Sequence, residues 1–330
     1  MRINDVVEIT HANLLNEPEI SSFANITTEL KNVLRGSLFI AHNKHDIQEA
    51  IAQGAYGVIF EDGDLKIIDE ECAWIKVDSL QDAITRLVRY KLLSSDISVI
   101  YFKNIEFEIA KEILTDPRVE FLQGGYADFL ECTQKQGVQK IITNNPKLLE
   151  IPLDHLEGMI PENEPFKIIS CTLFDSKIYF DSKRYTISLP SIFLGYLASV
   201  ITLLANEGIC FSLTHFEGIS YLKPIFIDQK GLICPYGQSG RVLLAEEQIE
   251  HFKYYTTYLM ENAKWAKICF FVPEDKYDLF PQTIPYQSLE NLLTNLEQYA
   301  FNFALILGAK SADLIQKLPQ SQEETSLFDN

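Results

Sequence analysis

Close cysteine pairs are missing from this chain. The nearest two of Cys72, Cys132, Cys171, Cys210, Cys234 and Cys269 are Cys210 and Cys234, so neither a CxxC redox pair nor a zinc knuckle can be written. Buried, reduced thiols are expected. Basic clusters are equally scarce: 28 Lys and Arg stand against 46 Asp and Glu, a net charge of -18. Counterion release on nucleic acid and attraction to an anionic membrane are both disfavoured by that sign. The start, Met1-Arg2-Ile3-Asn4-Asp5, has no uninterrupted apolar core of the kind a secretory signal needs, and a cytoplasmic location is expected. A long apolar run is missing too. Tyr185 to Asn206 carries no charge, but its strongly apolar part runs only from Ile192 to Ala205, with Pro190-Ser191 ahead and Asn206-Glu207-Gly208 behind. That reads as a buried helix with a start and a stop signal, not a membrane span. No internal repeat is visible.

What is present is an ordinary globular composition, 47% hydrophobic and 22% charged over 330 residues, enough for two or three domains. Residues 1–95 read as a small α/β unit. Its strands are Ser37 to Ala41, Gly57 to Phe60 and Trp74 to Val77, with a helix from Asp46 to Gln53 and a second capped by Ser79 that fades at Ser94-Ser95-Asp96. Residues 96–218 open on strands and helices in alternation, which implies a parallel sheet. The strands are Ile97 to Phe102, Val119 to Leu122 and Val138 to Ile142; the helices are Phe107 to Leu114 and Tyr126 to Lys135. A hairpin ladder follows over Phe166 to Leu173, Lys177 to Phe180 and Tyr185 to Leu189, with turns at Asp175-Ser176 and Asp181-Ser182. Residues 219–330 read as a further α/β unit. Its expected strands are Ile225 to Asp228, Gly231 to Cys234, Lys267 to Val272 and Ala304 to Gly308, with helices from Ala245 to about Met260 and from Leu289 to Tyr299. Pro319 to Asn330 form a polar, acidic tail.

Recognisable chemistry is thin. A nucleotide site should show glycines after a first strand, so that bare amides can wrap a phosphate; the strand Ile97 to Phe102 is followed instead by Lys103-Asn104-Ile105-Glu106-Phe107-Glu108. Gly237-Gln238-Ser239-Gly240-Arg241 is the most glycine-rich polar loop. Gly237, Ser239, Gly240 and Arg241 form a candidate anion-binding loop, although an ordinary turn is the commoner meaning of such a stretch and the GxSxG elbow is missed at Arg241. Glu61-Asp62-Gly63-Asp64 with Asp69-Glu70-Glu71 lacks the spacing of a calcium loop and reads as a solvated rim. His42 and His45 flank Lys44 at a strand end, which argues against a metal; His11, His155, His215 and His251 stand alone. No catalytic residue, metal or cofactor is assigned. Tyr254, Tyr255 and Tyr258 mark either an interface or, more often for such a cluster, core.

Five segments, in order, resemble the Mur ligase family, and within it the branch that adds D-alanyl-D-alanine to a UDP-muramoyl-tripeptide. Arg35 to Ala41 is similar to the family's PGDLFVA strand, and His45-Asp46 with Ala50 to Ile59 to its HDFI and GA..VV run. Trp74 to Ala83 follows its VIVVDDTLKAL segment, Tyr185 to Pro190 with the apolar helix its LPG..N..NALAA element, and Ala304 to Ser311 its VLVKGSR turn. The resemblance covers nearly the whole chain. It implies an α/β fold of three segments, with a truncated central domain and a Rossmann-like C-terminal domain. Thr27, Ser37, Leu38, Phe39 and His45 are the possible remnant of a UDP-sugar-peptide site. The departures are as informative. Anchored on Lys111-Glu112, the GxxGKTT phosphate loop has Lys103 and Glu106 at its glycines, Phe107 at its lysine and Glu108 at its first threonine; TDSR becomes Thr27-Thr28-Glu29-Leu30, and DSYNANP falls near Pro235 to Gly240. Without lysine, amides and magnesium ligands, phosphoryl transfer to a carboxylate loses orders of magnitude in rate. The expected function is a non-catalytic scaffold, sensor or regulator of cytoplasmic peptidoglycan precursor synthesis, partnered by UDP-muramoyl-peptide or a cell-wall synthesis protein; the alternative is a divergent ligase or transferase using another phosphate donor or an unrecognised site, with the surroundings of Arg241 and His45 as the place to look.

Overall fold

A computed structural model describes residues 1–61, 67–279 and 282–318. The chain divides into two compact units, the first made of Met1–Phe107 and Thr115–Met159, the second of Glu108–Leu114 and the chain from Ile160 onward.

The first unit holds two sheets. Strands β1 (Asn13–Leu14), β2 (Ile26–Thr27), β3 (Leu38–Ile40), β4 (Gly57–Phe60) and β5 (Ala73–Lys76) lie in the order β1-β5-β4-β3-β2. All neighbours in it are parallel except the edge strand β1. Strands β3 and β4 are buried at every position, as parallel strands covered on both faces must be. Strands β6 (Ser98–Tyr101), β7 (Val119–Leu122), β8 (Lys140–Thr143) and β9 (Leu156–Glu157) form a second, wholly parallel sheet in the order β7-β8-β6-β9. Helices α1 (Ile3–Thr10), α2 (Lys44–Ala52), α3 (Leu80–Ser95) and α5 (Tyr126–Gln134) complete these elements, and α4 (Asn104–Ile113) starts in this unit but belongs to the second from Glu108 onward.

One apolar cluster joins the two sheets. It runs from Ile3 and Val6 through Leu87, Val88 and Leu92 of α3 to Phe129, Leu130 and Ile151. Helix α3 starts as its sequence demands: the Ser79 hydroxyl accepts the Asp82 N–H at 3.3 Å. The Glu61 carboxylate also accepts the Leu80 N–H at 3.1 Å. Asp96 closes the helix with φ of 52°, the left-handed stop that asparagine and aspartate tolerate.

The second unit carries an antiparallel ladder of β10 (Lys167–Cys171), β11 (Ser176–Phe180) and β12 (Lys183–Ile187). Asp181 and Ser182, both at positive φ, make the tight turn between β11 and β12. The other expected turn is shifted: the Thr172 N–H donates to the Asp175 carbonyl at 2.8 Å, while Ser176 already belongs to β11 and donates its buried hydroxyl to Leu189 at 2.7 Å. Helix α6 (Leu194–Asn206) is the apolar helix anticipated in the uncharged stretch. No helix among the described residues is long and apolar enough to cross a membrane.

The second sheet of this unit has the order β13-β14-β17-β15-β16, from β13 (Ile225–Ile227), β14 (Arg241–Glu246), β15 (Ile268–Pro273), β16 (Ile284–Tyr286) and β17 (Phe303–Leu307). Only the edge β13 is antiparallel. Helices α7 (Ile249–Asn262), α8 (Leu289–Thr294) and α9 (Ser311–Lys317) accompany it.

Two expectations need correction here. The helix does not begin at Ala245, because Val242 to Glu246 are buried on every side of β14, and a continuous apolar run of that length is the signature of a central parallel strand. Gly231 to Cys234 form no strand beyond a single bridge from Ile233 to Ile227. The Asp228 carboxylate there accepts the Lys230 and Leu232 N–H groups, each at 2.8 Å, so the aspartate turn competes successfully with strand pairing. The expected acidic rim at Asp62 to Asp64 and the tail from Pro319 to Asn330 lie outside the described residues.

Candidate functional site

The turn after β6 is where a phosphate loop would lie, and its chemistry is settled by Glu106. This side chain, in the first turn of α4 and 3% exposed, reaches back to accept the Lys103 N–H at 3.1 Å. The protein's own carboxylate thus takes the helix N-terminus, where unpaired amides and the helix dipole would otherwise attract an anion. Phe107, at the position expected of the phosphate-binding lysine, is 1% exposed and meets Phe121 edge to face with ring centres 5.3 Å apart. Glu108 accepts both the N–H and the hydroxyl of Ser220, each at 2.7 Å. A nucleotide phosphate does not fit these residues, since a buried carboxylate repels it and a buried phenyl ring stands at the position expected of the lysine.

The candidate sugar-nucleotide residues are mostly interior. Thr27 is fully buried and donates its hydroxyl to Glu131 at 2.7 Å, and the same carboxylate accepts the Thr28 N–H at 3.1 Å. Ser37, also fully buried, donates to Asn25 at 2.7 Å and accepts the Leu34 N–H at 2.8 Å. Leu38 and Phe39 are strand core. Of the five, His45 alone is exposed, on the first turn of α2.

The glycine-rich loop is likewise a different object from the one expected. Arg241 opens β14. Its guanidinium donates to the carbonyls of Gln229 (3.2 Å), Leu296 (2.9 Å) and Tyr299 (3.4 Å) and lies 4.4 Å from the centre of the Phe301 ring. The charge is committed to tying backbone together. Ser239 donates to Ile227 at 2.5 Å and accepts the Arg241 N–H at 3.1 Å. Gly237 has φ of +76°. The loop lies at the N-terminal end of β14, and the titratable groups gather at the other end.

There, at the C-terminal edge of the parallel strands where open α/β sheets place ligands, sequence reasoning missed a cluster. Glu246 ends β14 at 7% exposure, its Oε1 accepting the Gln248 N–H at 2.8 Å. Burial lifts its carboxyl above the ordinary value of 4.5, opposed by the Gln248 N–H and by His251. His251 Nδ1 stands 3.7 Å from Glu246 Oε2. Its ring meets Tyr221 edge to face at 5.6 Å and stacks on Tyr255 at 5.9 Å. Tyr221 is pushed up to about 12 by burial and by the charges of Glu108 and Glu246. Tyr255 is fully buried, and neither its hydroxyl nor His251 Nδ1 has a hydrogen-bond partner among the described residues. Glu246 and Tyr221 border a cavity of about 270 Å³ together with Ser220, Glu247, Lys310 and Ser311, and Lys310 Nζ lies 3.5 Å from Glu247. The arrangement sets a buried carboxyl with a raised pKa beside a small polar cavity, with an imidazole close behind it. No group of three or more His, Cys, Asp or Glu able to hold a metal occurs among the described residues.

With this geometry in hand, likeness to known proteins can be weighed. No family model and no curated protein matches the sequence. Among solved structures, MurF from Acinetobacter baumannii aligns over 96% of this chain and 99% of its own, at 11% identity and a TM-score of 0.58. The fold is that of the Mur ligases. A second Acinetobacter baumannii structure, the UDP-N-acetylmuramoylalanyl-D-glutamyl-2,6-diaminopimelate–D-alanyl-D-alanyl ligase, gives 11% identity and 0.55 over 96% and 98% of the two chains. MurF ligase from Thermotoga maritima in complex with ADP gives 12% identity and 0.54 over 89% and 95%. At such identities the Mur-ligase likeness is one of architecture, the multi-domain α/β arrangement read from the sequence, and the residues of any site must speak for themselves.

Proposed function

We propose that this Mur-ligase-fold protein acts in cytoplasmic peptidoglycan precursor synthesis as a scaffold, sensor or regulator and does not ligate at the expense of ATP. Residues 1–95, 96–218 and 219–330 are its counterparts of the ligase segments, the central one shortened. The observation that carries the reading is Glu106, whose carboxylate caps the helix after β6 where a phosphate would have to bind. A relative of the same fold has been seen with ADP; here a buried carboxylate and Phe107 stand in the corresponding stretch of sequence.

The partner is a UDP-muramoyl-peptide or a protein of cell-wall synthesis. Because Thr27 and Ser37 are committed internally, a muropeptide would be met through exposed groups such as His45. Calorimetric titration with UDP-muramoyl-tripeptide separates the two. Saturable micromolar binding assigns a precursor sensor, and silence at millimolar ligand assigns a protein partner. Protein-dependent ATP turnover with UDP-muramoyl-peptide and D-alanyl-D-alanine would overturn the non-catalytic reading altogether.

A second reading, a divergent transferase, is favoured by one observation, the Glu246–His251 pair beside its cavity. It replaces Arg241 and His45 as the place to look, since Arg241 is bonded to three carbonyls. An activity found by substrate screening that survives both Glu246→Gln and His251→Ala would remove it.

A further inference from the structure

The second unit holds a larger cavity, of about 490 Å³, between the end of β10 and the N-terminal ends of β14 and β17. This lies at the end of the sheet away from Glu246, so it owes nothing to the function proposed above.

Three features fix what it can bind. No Asp, Glu, Lys, Arg or His lines it. A phosphate, a carboxylate or an ammonium group would therefore be desolvated there without a countercharge. One wall is aromatic: Phe303, 5% exposed, meets Phe174 at 5.9 Å and Trp265 at 5.8 Å, both edge to face. Trp265 is 73% exposed. An edge-to-face contact leaves an indole face uncovered, and a large aromatic surface held out in water is a recurrent mark of recognition. The opposite requirement comes from hydroxyl and amide groups. Thr172, Ser191, Ser239, Asn262 and Asn302 all border the space. Asn262 spends its amide N–H on Tyr258 at 2.9 Å, leaving Oδ1 as an acceptor, and the Ser191 hydroxyl shares one hydrogen bond with the Tyr258 hydroxyl at 3.2 Å. Thr172, Ser239 and Asn302 are bonded within the protein, but a purely apolar ligand would strip water from Asn262 Oδ1 and the Ser191 hydroxyl and return nothing.

From these features we infer a binding site for a neutral saccharide, one pyranose face stacked on Trp265 and the ring hydroxyls meeting Asn262, Ser191 and the Gly237–Gly240 loop. The volume lies in the range of small-molecule sites and is suited to one or two rings. The glycine-rich loop thereby takes an uncharged ligand and not the anion its sequence suggests, because Arg241 is not among the lining residues.

The full chain titrated by calorimetry with N-acetylglucosamine, its β-1,4-linked dimer, glucose and maltose tests this, with Trp fluorescence followed in parallel. Trp74, the other tryptophan, is 1% exposed and reports little. The expected result is saturable millimolar binding of at least one sugar with a shift in tryptophan emission, weakened at least tenfold by Trp265→Ala and by Asn262→Leu. Both residues are exposed, so both variants should keep the wild-type melting temperature. Three results would overturn the inference: no heat with any of the four up to roughly 100 mM, far past the ~1 mM scale of weak specific binding; binding unchanged in both variants; or binding of glucosamine 6-phosphate in preference to the neutral sugars.

Discussion

Glu246 shows how a single residue can be invisible in sequence and prominent in structure. Read as part of a helix from Ala245, it stands five residues from His251, and positions five apart point to opposite sides of a helix. Once Glu246 ends a strand and His251 sits in the first turn of α7, the two meet at 3.7 Å. The sign of its contribution to stability follows from burial. The folded-state carboxyl titrates above 4.5, so between 4.5 and that higher value the native state holds more protons than the unfolded chain. Stability therefore falls as pH rises through the window and stays lowered above it. Glu246→Gln keeps the acceptor for Gln248 and removes the buried charge. It should raise the melting temperature at pH 7 to 8, the gain over wild type vanishing as pH drops towards 4. A gain that does not change across that range would show that it comes from something other than the buried charge of Glu246.

The cysteines extend the residue scale. Their scatter in sequence excludes pairs, yet only Cys72 and Cys132 are buried, while Cys171 and Cys210 are exposed; the blanket expectation of buried thiols therefore fails. Spacing reports on bridges and metals, not on burial, which depends on which strand face a residue falls. Burial pushes the Cys72 thiol up to about 12, so thiolate is scarce there at neutral pH. Titration of the native protein with an aromatic disulfide should modify Cys171 and Cys210 first, and Cys72 only after unfolding.

Elements with strong local signals matched their sequence. Gly57–Phe60 and Val119–Leu122 run as expected to the residue, and Ser79 caps α3, because an alternating or continuous apolar run flanked by turn formers leaves few other solutions. The failures are non-local. Arg241 sits beside two glycines in sequence, but its partners Leu296, Tyr299 and Phe301 are far along the chain, so nothing adjacent announces a structural role. Arg241→Ala should destabilise the second unit by about 2 kcal/mol, three charge-assisted hydrogen bonds and a ring contact being lost and three carbonyls left to find water; denaturant unfolding measures it. At α4, Glu106→Ala removes the acceptor for the Lys103 N–H and should lower stability by about 1 kcal/mol, in the range of other lost helix caps. If an engineered Glu106→Gly variant gained ATP binding, the carboxylate alone would be what excludes phosphate; we expect none, since Phe107 supplies no cation.

At the scale of the whole molecule the dominant fact is charge. With 46 acidic against 28 basic residues, carboxylates outnumber cations by 18 (46 minus 28) whatever exposed ion pairs form, such as Lys135 with Glu120 and Lys317 with Glu290. Each such pair contributes well under about 1 kcal/mol in water, whereas repulsion among the remainder acts over the Debye length. That length shrinks from about 30 Å at 0.01 M salt to about 8 Å at 0.15 M. Because the compact state concentrates the charge and the unfolded chain disperses it, screening relieves the folded form more. The melting temperature should therefore climb between roughly 10 mM and 150 mM sodium chloride and then level off, with potassium chloride giving the same curve. A fall over that range would mean that specific surface ion pairs outweigh the general repulsion, and a rise confined to one salt would point to an ion bound at a particular place. The same field repels polyphosphates from the surface at large, so any nucleotide sugar that binds must do so against an unfavourable background, and its affinity should strengthen, not weaken, as salt is added.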